Sequence, residues 1–178
     1  MADAERARLV ERDDVAVMFK RVADEQPAVS RGWAEVEEAV GSLRGRKFYG
    51  VFDWRGEYRV CVQLREGDEP AGLGLETGTL PGGRYAQVRL QGEPPAVYER
   101  IAPAFERLAR RHDRDPGRPG LEFYRRRDVI DLLLPVRYAT TPVMGPSQAE
   151  AIDPSVTSPL CAAKAARTSS FSRGETSK

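Results

Sequence analysis

Residues 47–65 read KFYGVFDWRGEYRVCVQLR, and the fold follows from how this stretch is divided. Lys47 to Asp53 is rich in aromatic and β-branched residues. Tyr58 to Arg65 alternates, with Tyr58, Val60, Val62 and Leu64 on one face and Arg59, Cys61, Gln63 and Arg65 on the other. Arg55-Gly56-Glu57 makes a short turn, so the two runs form an antiparallel hairpin. Upstream, Asp14 to Arg21 sets Val15, Val17 and Phe19 against Ala16, Met18 and Lys20 and reads as another strand. Between this strand and the hairpin, Ser30 is a candidate N-cap for a helix. Its apolar stripe is Trp33, Val36, Val40 and Leu43, and Gly45 is its stop. The order is strand, helix, strand, strand.

About seventy residues later the same order returns. Arg84 to Leu90 is a strand. Pro94 and Pro95 introduce a helix carrying Val97, Ile101, Phe105 and Leu108, and Pro103 inside that stripe should kink it or break its start. A turn at Pro116 to Gly120 precedes LEFYRRRDVIDLLLPV, residues 121–136, which divides into strands Leu121–Arg125 and Val129–Val136. Two such units pairing edge to edge give an α+β fold, one curved antiparallel sheet with both helices on one face. The glycine-rich segment Gly67 to Gly83 leads into a strand, whereas a phosphate cradle leads into a helix. It reads as a crossover between the halves. Residues 1–12 read as a charged N-terminal extension and 13–138 as the folded domain. The Ala, Ser, Thr and Pro-rich stretch 139–178 reads as a disordered tail.

The charge balance narrows the function. Among 178 residues, 28 are Lys or Arg and 27 are Asp or Glu, a net charge of +1, so no dominant nucleic-acid footprint is expected. Arg110, Arg111 and Arg114, like Arg125 to Arg127, read as solvated local clusters. His112 is the only histidine, and Cys61 and Cys161 stand far apart, so a zinc site of several Cys or His ligands is excluded and no cofactor is called for. Any Ser-His-Asp or Cys-His mechanism would need His112, which lies in a very polar run. No apolar run approaches the roughly 18 residues of a membrane helix. The start carries no signal-peptide core, so a soluble, cytoplasmic protein is the expectation.

Strand parity proposes a site. If Phe48, Phe52, Tyr58, Val60, Val62, Ala86, Val88, Leu90, Leu121 and Phe123 lie under the helices, then Tyr49, Cys61, Tyr85, Gln87, Glu122 and Tyr124 share the open face. Three tyrosines around one carboxylate suit a flat, cationic ligand. Trp33 reads first as core and second as the closure of one end of the pocket. Trp54 reads as a rim residue, and Glu76 as a secondary carboxylate candidate.

At these residues the chain resembles the GyrI-like small-molecule-binding domains, the effector-binding domains of AraC- and MerR-type regulators. Leu80-Pro81-Gly82-Gly83-Arg84-Tyr85-Ala86 is similar to their "lPaGxYa" run, and Pro119 to Tyr124 to their "P-x-x-E-x-Y" strand. Asp131 to Val136 is similar to their closing "I-x-x-P-V" strand, and Trp33 and Tyr49-Gly50 match in the first half. The resemblance spans about residues 13–137 and implies a pseudo-twofold pair of strand-helix-strand-strand units. It also implies a pocket holding Glu122 and Tyr124, with Tyr49 and Trp33 beside them. Arg125-Arg126-Arg127 stands where the family often has Asn-Asp, a departure that weighs against gyrase inhibition.

Three functions follow as expectations. The first is a stand-alone binder of hydrophobic, cationic or aromatic small molecules, acting in drug sensing, sequestration or resistance. The second is a hydrolase opening cyclopropane-type genotoxins in the same pocket, with Glu122 as its catalytic carboxylate. The third is a protein-interaction module such as a gyrase inhibitor.

Overall fold

The computed structural model describes residues 6–53 and 55–138. The tail 139–178 and Trp54 lie outside the described residues. Among the described residues, eight strands and three α-helices follow in chain order, with one 3-10 turn at Pro70–Leu73: β1 (Arg8–Arg12), β2 (Val15–Ala23), α1 (Ala28–Val40), β3 (Phe48–Phe52), β4 (Glu57–Gln63), β5 (Glu76–Leu80), β6 (Gly83–Gln91), α2 (Ala96–Glu99), α3 (Ile101–Arg111), β7 (Gly120–Arg126) and β8 (Val129–Pro135). They make one antiparallel sheet in the order β1-β6-β8-β7-β3-β4-β2-β5. The two expected units are β2-α1-β3-β4 and β6-α2-α3-β7-β8, and they join edge to edge through β3 and β7.

Each unit also has a leading strand that patterning did not reveal. Arg8–Arg12, read as part of an extension, forms β1 on β6 of the opposite unit. Glu76–Leu80, read as crossover, forms β5 on β2 of the opposite unit. Both are short, mostly exposed edge strands, so their sequences lack the apolar alternation that marks a buried strand.

Helix boundaries moved for local reasons. α1 starts at Ala28, before Ser30, and the Ser30 hydroxyl bonds the Gln26 side chain instead of capping the helix. α1 ends at Val40 and is capped by Gly41, whose φ of 64° lies in the left-handed region, so Leu43 is exposed beyond it and Gly45 lies in the following loop. The second helix is broken as Pro103 requires: α2 ends at Glu99, Arg100 intervenes, and Pro103 sits in the first turn of α3. There its missing N–H removes no helical hydrogen bond.

Two links of two residues each, 13–14 and 81–82, meet at one corner. The Gly82 N–H donates to Asp14 Oδ1 at 2.6 Å. A Cβ on Gly82 would lie 2.5 Å from the Arg12 carbonyl oxygen. The corner brings the start of β2 against the start of β6, so the sheet curls into a half-barrel away from the helices. Arg12 on edge strand β1 accordingly reaches across β6 and β8 to lie 5.6 Å from the ring centroid of Phe123 on β7.

The curl produces two cores. Under the helices pack Met18, Trp33, Val36, Phe52, Tyr58, Val60, Val62, Ile101, Phe105, Ile130, Leu132 and Leu134, among others. Within the curl pack Val17, Phe19, Tyr49, Val51, Cys61, Leu80, Tyr85, Leu121, Phe123 and Leu133. Asp131 is fully buried on this inner side, where Arg89 donates to its two oxygens at 2.6 and 3.1 Å and Arg125 also donates. Burial alone would push the Asp131 carboxyl up, but the two guanidiniums outweigh it and hold the group below its usual range. Among the described residues no helix is long and apolar enough to cross a membrane.

The corner sets an expectation. Gly82→Ala must displace backbone and should destabilise the fold by about 2 kcal/mol or more. Gly56→Ala, at a φ of 94° with open space around it, should cost about 1 kcal/mol. Chemical denaturation of the two variants beside wild type measures the difference.

Candidate functional site

β7 is buried from Gly120 through Phe123, so the side chains of Leu121, Glu122 and Phe123 find cover on both faces. Glu122 faces the helices. Its neighbours in register are Gly50 on β3 and Leu132 on β8. Gly50 is required: a Cβ there would lie 1.9 Å from Tyr58 Oη and 2.7 Å from Glu122 Oε2. The missing side chain leaves a notch, and Tyr58 reaches from β4 across it. The Tyr58 hydroxyl donates to Glu122 Oε2 at 2.9 Å, and the Tyr124 hydroxyl donates to the same oxygen at 2.9 Å. Glu122 is fully buried, and these phenols supply hydrogen bonds that replace those lost to water.

The cluster lies between the helices. α1 packs over β2 and β4, α3 packs over β6 and β8, and β3 and β7 run between them. From α1, Trp33 meets Tyr124 edge-on at 4.9 Å between centroids and lies 6.3 Å from Phe48. Phe105 of α3 packs edge-on against Phe52 at 4.7 Å and bounds the other side. The carboxylate thus sits on an aromatic floor, with half-buried Tyr124 nearest solvent.

The structure divides the expected site residues between two faces. Glu122, Tyr124 and Trp33 come together on the helix-bearing face. Tyr49, Tyr85, Gln87 and Cys61 lie on the opposite, inner face and do not meet Glu122. The parity expected for the third, fourth and sixth strands is observed, whereas that of β7 is reversed. Leu121 and Phe123 enter the inner core, which leaves Glu122 and Tyr124 under the helices. Apolarity could not orient this strand because apolar cover exists on either side of it. The inner face is also buried where it was expected to be open. Glu76 belongs to neither face's cluster: it pairs with Arg21 at the edge. Tyr58 went unrecognised as a site residue because its parity alone marks it as core. The signal for it was Gly50, a glycine within a strand, which often marks a close approach.

Burial in the inner core pushes the Cys61 thiol up to about 12. Burial also raises the Tyr49 and Tyr85 hydroxyls, although nearby guanidiniums oppose it: Arg12 and Arg125 at Tyr49, and chiefly Arg118 at Tyr85.

No family model matches the chain, and no curated protein matches it in sequence. Solved structures do match. The integron cassette protein VCH_CASS2 of Vibrio cholerae superposes with a TM-score of 0.57 at 18% identity, over 74% of this chain and 95% of that one. The EcmrR C-terminal domain gives 0.57 at 12% identity, over 75% and 98%. SAV2435, solved bound to tetraphenylphosphonium, gives 0.51 at 14% identity, over 74% and 94%. The chain has the GyrI-like fold. At these identities the likeness is one of architecture, and within that GyrI-like architecture Glu122 occupies the floor between the two helices.

The burial of Cys61 makes it a packing residue with an inert thiol. In a Cys161→Ser background, the native protein should resist an aromatic disulfide reagent at pH 8 and should release one equivalent of thiolate on unfolding in guanidinium. Absorbance of the released thiolate reads both states.

Proposed function

We propose that this protein binds hydrophobic, cationic or aromatic small molecules between α1 and α3, with Glu122 as the charge-selecting group. The observation that carries the reading is a fully buried carboxylate held by two phenols on an aromatic floor. A carboxylate in so dry a setting attracts a cation far more strongly than one in water, and it discriminates against anions. Tyr58 and Tyr124 fix the direction of its oxygen, and Trp33 offers a flat surface for stacking or a cation–π contact. The tetraphenylphosphonium carried by SAV2435, a protein of the same fold, is an aromatic cation and fits this chemistry. In a cell such binding serves drug sensing or sequestration.

Titration with a panel of cationic aromatic dyes should give saturable binding. Glu122→Gln should weaken it about tenfold, or about 1.4 kcal/mol. Tyr58→Phe, which removes one donor to the carboxylate, should weaken it less. Dye binding that Glu122→Gln leaves untouched would move the site elsewhere. Ligand consumed over time, followed by mass spectrometry, would replace simple binding with hydrolysis.

A further inference from the structure

The inner face of the sheet carries polar groups that packing does not explain. Gln87 is 3% exposed and Tyr49 is 3% exposed. Among the described residues, neither the Gln87 amide nor the Tyr49 hydroxyl makes a side-chain hydrogen bond. Groups buried this way are unfavourable unless they serve a partner, and native interiors keep few of them. Tyr49 lies beside Phe123, on whose ring it stacks at 4.9 Å and 20°, and Gln87 lies on the same face in register with Leu133.

The charge around them is positive. The Arg12 guanidinium lies 5.6 Å and the Arg125 guanidinium 5.1 Å from the Phe123 ring centroid. Both cations oppose the rise that burial imposes on the Tyr49 hydroxyl. Among the described residues, the carboxylate that Arg125 bonds is Asp131, which it shares with Arg89. Arg12 has no carboxylate partner among the described residues. Two guanidiniums on one carboxylate, with a third cation that has no carboxylate partner among the described residues, leave excess positive charge around Phe123.

From this arrangement we infer that the mouth of the curl is a second binding site, for a flat organic anion such as an aromatic carboxylate. Arg12 and Arg125 receive the carboxylate, which accepts their N–H groups in paired geometry. The ligand's ring lies along the Phe123–Tyr49 stack, and the Gln87 amide and Tyr49 hydroxyl hydrogen-bond its polar edge. The site lies across the sheet from Glu122, has the opposite charge preference, and stands whether or not the Glu122 reading holds. One sheet then sorts ligands by sign, cations beneath the helices and anions within the curl.

Calorimetric titration of the full chain with 2-naphthoate, and with the matched cation 2-naphthylmethylammonium, tests this. Wild type should bind 2-naphthoate, and Arg12→Gln should weaken it about tenfold, in line with a lost charge-assisted bond. Arg12 is half-buried on an edge strand, so this variant should stay folded. Gln87→Leu should also weaken 2-naphthoate while holding or raising the melting temperature, since it removes a buried amide that lacks a partner. A lowered melting temperature would give that amide a structural role and remove it from the site. Three results would overturn the proposal: no heat with 2-naphthoate, equal affinity for the two ions in the Arg12→Gln-sensitive process, or binding abolished by Glu122→Gln.

Discussion

Everything about this molecule's interior depends on the corner where Gly82 meets Asp14. The two-residue links leave no slack, so the strand pairs on either side must approach closely, and only a glycine lets the Arg12 carbonyl come so near. Arg118 adds to the join by donating to the carbonyls of Gly82, Arg84 and Val136. A flat eight-stranded sheet with helices on one side would leave its other side wet. The corner bends the sheet on itself, and the inner side becomes a second core with aromatic rings and stacked guanidiniums in place of helices.

The central join, β3 on β7, carries the second constraint. A glycine and a glutamate stand opposite each other at the middle of the sheet. The notch left by Gly50 takes the end of Tyr58, and Glu122 accepts its hydroxyl. Fixed this way, the carboxylate has its orientation set by strands of both units, while the helices on either side determine what can reach it. The same logic recurs at Gly120, where a Cβ would lie 2.2 Å from the Phe52 ring. Glycines at the seam therefore let large aromatic residues of β3 and β4 lie across it.

Much of this was legible from local pattern. The duplicated strand-helix-strand-strand order, the break at Pro103, the antiparallel sheet and the one-sided helices follow from spacing, turn residues and period-two alternation, all set by neighbours along the chain. Of the seven residues expected to share a site, Trp33, Glu122 and Tyr124 come together in the structure and the other four lie on the opposite face. The leading strands β1 and β5 were not legible, because an exposed edge strand needs no apolar face.

What the sequence determined by itself was which residues alternate and where each element turns, since backbone sterics and side-chain period act over a few residues. What only the tertiary structure decided was which side of β7 is which. With apolar cover on both faces, Leu121 and Phe123 satisfy burial equally well either way, and local pattern cannot choose between them. The choice falls to contacts distant in the chain, the Tyr58 hydroxyl arriving over Gly50 and Arg12 reaching Phe123 around the curl. Those contacts exist only once the two halves have joined, and they place the carboxylate beneath the helices with Tyr124, and Tyr49 and Tyr85 on the other side of the sheet.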